Sequence, residues 1–250
     1  MTALLGRAST EEKLNEPWSY KCGASLIHPQ VVLTAAHCIS DTKLYKIRAG
    51  EWDAQTENEI YPHQERNVKT IILHPEYNKK LLFHDYALLI LDSPVKIEEN
   101  VDIVCLPTKD EIIDNLVCYS NGWGKDNYGR ESTRKDEALL RKVHVPIVDT
   151  DSCQASLRTT RLGTHFNLHE SFICAGCLPD QDTCREDGGS PLVCPIRGKQ
   201  NTYFQVGVVS WGIDCGGLPR PRVYANVAKV VDWIDKTMTN NGFETSTYKY

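Results

Sequence analysis

Ten cysteines are spread from Cys22 to Cys215 in a chain of 250 residues. That is many for a cytosolic chain, and their scatter fits covalent stapling along most of its length. Such usage belongs to an oxidising compartment, so the expectation is a secreted, extracellular protein. The opening argues the other way. Met1-Thr-Ala-Leu-Leu-Gly-Arg begins with five weakly apolar residues, whereas a signal peptide carries an apolar core of about 7–15. Both hold if Met1 is not the true start and the chain is a fragment of a longer one.

Composition narrows the field. Hydrophobic residues make up 41% and charged residues 24%, close to the globular average, which argues against a wholly disordered chain. No run of about 18 apolar residues occurs, so no transmembrane helix is expected. A net charge of −5 disfavours broad attraction to nucleic acid. The length allows one large domain or two small ones.

Short β-like runs recur at Val31–Thr34, Lys69–Leu73, Tyr86–Leu91, Leu139–Pro146 and Tyr203–Val209. Turn-forming patches such as Asn121-Gly122, Asp187-Gly188-Gly189 and Cys215-Gly216-Gly217 lie between such runs. That pattern predicts an all-β sandwich or barrel. Val227, Val230, Val231, Ile234 and Met238 share one helical face. A shorter helix is predicted from a cap at Thr150 or Asp151 to about Arg158. The stretch 239–250 is expected to be a frayed polar tail, and Lys125–Glu137 a long exposed loop.

The chemistry-bearing pieces are individually weak. Thr34-Ala35-Ala36-His37-Cys38 follows an apolar strand, Asp85 precedes another, and Cys184-Arg-Glu-Asp187-Gly188-Gly189-Ser190-Pro191 lies late in the chain. Ser210-Trp211-Gly212 follows, just before Cys215. In this order and spacing they are specific. The chain resembles the chymotrypsin-like serine proteases from about Met1 to Met238. The resemblance implies an all-β chymotrypsin-like double β-barrel of two six-stranded barrels with a C-terminal helix, forming a domain over 1–238 that lacks its N-terminal activation segment. His37 matches the general base, Asp85 the carboxylate that orients it, and Gly188 the nucleophile position.

A glycine has no side chain to attack a carbonyl, so covalent catalysis is not expected. Ser190 lies two residues further on, and a turn of this kind aims one residue only. Glu186 stands where the family has an oxyanion-hole glycine; its carboxylate either opposes the developing anion or points to solvent and leaves the N–H in place. The specificity pocket matches Asp182, Ser210, Gly212 and Arg222, with Asp214 at its mouth. Arg222 replaces a wall glycine and either pairs with Asp182, filling the pocket from within, or turns to solvent; the filled pocket is preferred.

By family pattern the disulfides are Cys22–Cys38, Cys118–Cys194, Cys153–Cys174 and Cys184–Cys215. Cys105 and Cys177 are left over, Cys105 at a position that often bonds an upstream segment. Cys174-Ala-Gly-Cys177 formally matches a redox or zinc pair, without the βαβ context such a pair needs. The acidic stretch 51–59 resembles the calcium loop of trypsin-like domains. Glu51 and Glu59 would offer carboxylates, and Asp53 and Thr56 backbone oxygens; the alternative is a solvated acidic hairpin.

A narrower resemblance, carried by Glu51-Trp52-Asp53, Tyr61-Pro62-His63-Gln64 and Asp187–Pro195, is to the clip-domain serine protease homologues of arthropods. It implies a secreted haemolymph protein that assists prophenoloxidase activation by binding and not by cutting. The implied partners are prophenoloxidase or its activating protease. An activation sequence of the Ile-Val-Gly-Gly kind, whose amino group would pair with Asp187, does not stand at the start of this chain. The alternatives are an active trypsin-like endopeptidase with an unorthodox nucleophile, or a protease-fold binding module outside melanisation.

Overall fold

The computed structural model describes residues 1–8, 17–40, 43–54, 60–113, 116–123, 139–176, 188–213 and 220–250. Twelve strands form two closed barrels. The first is built from β1 (Thr2–Ala8), β2 (Ser19–His28), β3 (Val31–Thr34), β4 (Lys43–Ala49), β5 (Gln64–Leu73) and β6 (Ala87–Leu91). The second uses β7 (Val117–Gly122), β8 (Arg141–Val148), β9 (Phe172–Gly176), β10 (Pro191–Pro195), β11 (Tyr203–Trp211) and β12 (Pro221–Asn226). The spatial orders are β1-β2-β3-β6-β5-β4 and β10-β11-β12-β9-β8-β7. Closure pairs every edge, so neither sheet is left with an open flank.

The apolar run Ala87-Leu88-Leu89-Ile90-Leu91 follows from this arrangement. Side chains alternate along a strand. Leu89 and Leu91 enter the core of the first barrel with Leu4, Leu26, Val32 and Ile47. Leu88 and Ile90 face the seam between the barrels, beside Val31, Leu33, Val208 and Ala225. Both faces of β6 are buried, so both carry apolar residues. Polar links cross the same seam. The Tyr86 hydroxyl donates to the carbonyls of Asn226 (2.7 Å) and Ser171 (3.1 Å), and Ser25 Oγ donates to Gln205 Oε1 at 2.6 Å.

Two helices complete the fold. α1 (Thr150–Arg158) is capped by Asp149, whose carboxylate accepts from the Ser152 N–H at 2.9 Å, one residue ahead of the expected caps. The C-terminal periodic stretch begins as a 3₁₀ turn over Val227–Val230 and continues as α2 (Val231–Asn240). The segment expected to fray is docked instead. Helix α2 runs into it, and a 3₁₀ turn over Ser246–Tyr248 follows. Tyr248 is 1% exposed, its hydroxyl donates to Asp235 at 2.6 Å, and its carbonyl accepts from Leu106 N–H at 2.9 Å. Composition is polar there, but one aromatic anchor decides the outcome. Cys22–Cys38, Cys118–Cys194 and Cys153–Cys174 are bonded, three of the four pairs that the family pattern implies. Cys105 is half-buried and unbonded among the described residues. Cys177, Cys184, Cys215 and the stretch Lys125–Glu137 lie outside those residues. Among the described residues no helix is long and apolar enough to cross a membrane.

Candidate active-site cleft

His37 sits on a single 3₁₀ turn, Ala36–Cys38, directly after β3. Asp85 immediately precedes Tyr86, which opens onto β6, and β3 and β6 are paired neighbours. The pairing therefore brings residues 48 apart in sequence into contact. His37 Nδ1 lies 2.7 Å from Asp85 Oδ2, and the His37 backbone N–H donates to Oδ1 at 2.8 Å. Asp85 is 0% exposed. An ionised carboxylate only accepts, so this contact puts the ring proton on Nδ1 and leaves the Nε2 lone pair facing the cleft. Buried negative charge is felt nearby: the Tyr77 hydroxyl is pushed up to about 12, first by burial and then by Asp85.

Ser210, expected to line the specificity pocket, is buried, and its hydroxyl donates to Asp85 Oδ2 at 2.6 Å. β11 thus supplies the third donor to the carboxylate. A lone serine before Trp-Gly gives no sign of this in the sequence, because the partner lies 125 positions away.

Opposite Nε2 lies Gly188. A Cβ placed on Gly188 would stand 2.7 Å from His37 Nε2 and 3.3 Å from Cε1. The imidazole has settled into volume that any side chain at 188 would need. The backbone there is held firmly: Gly23 N–H donates to the Gly188 carbonyl at 2.9 Å, and Gly189 N–H to the Val209 carbonyl at 2.8 Å. Gly189 has φ +79°, where an L side chain is strained, and its Cβ would collide with Thr34 Oγ1 and the Gly23 carbonyl. The Ser190 side chain packs at Gly23. Its Oγ is fully buried against Gly23 and lacks a hydrogen-bond partner among the described residues.

Arg222, on β12, lies along Gly212. A methyl on Gly212 would rest 3.6 Å from both Cγ and Nη1 of Arg222. The half-buried Arg222 side chain thus runs alongside Gly212, from its stem to its guanidinium. Asp182, Glu186, Asp187 and Asp214 fall outside the described residues. Beside Gly212 an apolar groove of about 410 Å³ stays open, walled by Leu82, Phe83, Phe166, Phe172 and Trp211, with Lys80 and Arg161 also lining it. Its walls come from segments distant in sequence, and the linear pattern did not announce it.

The acidic stretch shows a cation of its own. Glu51 is 4% exposed and accepts from Arg48 Nη1 at 2.7 Å; Arg48 also reaches Glu65 at 2.9 Å. Asp53 forms an isolated bridge with Leu139. Thr56 and Glu59 lie outside the described residues.

The trypsin family profile matches residues 7–234, over the same two barrels and the same His37–Asp85 contact. This chain belongs to the trypsin family. Within that family it is a protease-like domain of the arthropod clip-domain homologue type. It is 50% identical over 240 residues to phenoloxidase-activating factor 2 of Galleria mellonella, covering 96% of this chain and 78% of that protein. It is 38% identical to inactive CLIP domain-containing serine protease A8 of Anopheles gambiae, over 89% of this chain and 60% of that protein. It is 40% identical to inactive CLIP domain-containing serine protease A3 of Aedes aegypti, over 88% of this chain and 46% of that protein. The two mosquito relatives are therefore each substantially longer than the part this chain matches. Within this trypsin-family domain His37 is held against buried Asp85, and a glycine, Gly188, stands beside its ring.

Proposed function

We propose that this domain is a catalytically inactive serine protease homologue that acts by binding in an extracellular haemolymph cascade. The cascade is the one that activates prophenoloxidase in innate immunity, and the partner is prophenoloxidase or its activating protease. The observation that carries the inactive half is Gly188. Acyl transfer in this fold needs a nucleophile within reach of the base, and the residue facing His37 Nε2 has no side chain. Arg222 lying along Gly212 supports a pocket filled from within. The relatives' names support the binding half: one is called a phenoloxidase-activating factor, and several are called inactive.

A reconstituted cascade tests this reading. Prophenoloxidase and its activating protease are combined with and without the protein. Phenoloxidase activity should rise with the protein and should stay unchanged when the protein is first treated with a serine-directed phosphonate. No rise would break the cofactor role; a rise abolished by pretreatment would mean that the protein itself cuts.

Calcium belongs to the same proposal. Glu51 is a buried carboxylate of the right kind for a hard cation, but Arg48 already neutralises it at 2.7 Å. Calcium binding would have to displace that guanidinium. A rise in thermal midpoint at millimolar calcium supports the site, since a ligand at about a hundred times Kd stabilises by roughly 2.7 kcal/mol; an unchanged midpoint removes it.

A further inference from the structure

A second cluster of ligating side chains lies behind the cleft. His74, Glu76 and His84 each present one nitrogen or carboxylate oxygen within 4.8 Å of the other two. The His74 and His84 rings are nearly parallel, 9° apart, with centroids 5.0 Å from each other. Glu76 Oε2 is 3.9 Å from His84 Nε2. His74 ends β5's exit and is anchored: its N–H donates to the Tyr86 carbonyl at 3.0 Å, and its ring packs on Trp233 of α2 at 4.9 Å. His84 immediately precedes Asp85 and holds φ +51°, a conformation uncommon for a residue with a Cβ.

We infer that His74, Glu76 and His84 form a binding site for a divalent transition ion, with Zn²⁺ the preferred occupant. Two imidazoles and a carboxylate are borderline ligands suited to zinc, and three protein ligands leave a fourth position for water. The spacing is within reach. Ligands about 2.0–2.2 Å from one ion sit closer together than 4.8 Å, so modest side-chain turns close the site. The ion has an entry path, because the Glu76 side chain is 72% exposed and that of His84 22%.

The tautomers set the cost. Glu76 N–H donates to His74 Nδ1 at 3.2 Å. Whichever His74 nitrogen takes the ion, that contact is released, since the other nitrogen must carry the ring proton. One long backbone contact is a small loss against a metal–nitrogen bond. His84 Nδ1 is buried and has no hydrogen-bond partner among the described residues, so it can carry the ring proton and leave Nε2, 3.9 Å from Glu76 Oε2, for the ion. The ion would tie together both ends of the segment 74–84, which carries Leu82 and Phe83 of the groove.

The test is calorimetric titration of Zn²⁺ into chelator-treated protein, with Co²⁺ absorbance as a second readout of coordination. One ion per chain is expected, with a visible Co²⁺ band. Glu76→Gln removes one ligand at an exposed position and should weaken binding by at least about tenfold, since even outer-shell losses at metal sites cost about 10–100-fold. His84→Asn removes a second ligand while keeping a residue that tolerates left-handed backbone; with Glu76→Gln it should abolish the signal. Unchanged thermal midpoints in chelator show that the variants fold, and if His84→Asn does not, Glu76→Gln alone decides. No stoichiometric binding, or an affinity that Glu76→Gln leaves unchanged, overturns the site.

Discussion

The two barrels bring unequal contributions to the cleft between them. The first delivers His37 and Asp85 in the geometry of a working base, with two contacts of 2.7 and 2.8 Å to a fully buried carboxylate. The second delivers one supporting hydroxyl, Ser210, a glycine without a side chain beside the imidazole at 188, and a long cation, Arg222, along Gly212. Neither departure disturbs the core. Leu192, Phe204, Val206 and Tyr224 fill the second barrel around them. On the reading proposed above, loss of a reaction is confined to residues lining a cleft, while buried polar contacts persist because removing them would strand partners in the interior.

The comparison is most exposed at Asp85. If its carboxylate now serves the fold, Asp85→Ala should destabilise on the order of 3 kcal/mol. The buried Ser210 hydroxyl and the His37 N–H would be stranded, at about 1–3 kcal/mol for each unsatisfied donor. Urea unfolding reads this, and a loss under about 0.5 kcal/mol would mean that the first barrel's half of the site is idle. Gly188→Ser should cost about 1–2 kcal/mol, as overpacking does, because its Cβ would arrive 2.7 Å from His37 Nε2. It should yield no trypsin-like hydrolysis of an arginyl ester. Displacement of the base by about 1 Å alone costs on the order of 10²-fold, and Arg222 would still lie along Gly212. Trypsin-like turnover in this single variant would show that only a hydroxyl was missing.

Arg222→Gly should open the second barrel's pocket. A small aromatic amidine, silent against the parent protein in a thermal-shift assay, should then stabilise the variant. Equal shifts in both would place Arg222 outside the pocket. The smallest effect lies at the seam. His28, at the end of β2, packs against Phe243 at 5.0 Å. Burial holds its pKa below the ordinary imidazole value, against a smaller opposing pull from Glu244. The unfolded chain then binds the proton more readily. The contribution is intact above about pH 6.5 and is lost as pH falls through that value toward the folded one. His28→Gln should flatten this part of the stability–pH curve; an unaltered curve removes His28 from the account.

Much of the fold was legible because strand pattern and motif order are local signals. Val31–Thr34 was recovered with its bounds, and the periodic residues from Val227 to Met238 lie on a 3₁₀ turn and the α2 helix that continues it. The tail was misjudged, since its order rests on Tyr248 entering a cavity made by distant residues. The same limit applied at the site. His37 and Asp85 stood in recognisable contexts, and the gap at Gly188 was visible as a missing side chain. The Ser210 contact, the Arg48–Glu51 pair and the His74–Glu76–His84 cluster depend on three-dimensional closure, and no spacing rule in one sequence reports them.

The central proposal is that Gly188, facing His37 Nε2, leaves the base without a nucleophile to activate. Intact-mass measurement after incubation with a serine-directed phosphonate tests it most directly, with arginyl-ester hydrolysis followed in the same sample. The account predicts no mass increment and no turnover above buffer, while an active trypsin treated alongside is fully labelled. A stoichiometric adduct mapped to Ser190 or any other hydroxyl of this chain, with ester hydrolysis lost in proportion, would contradict it.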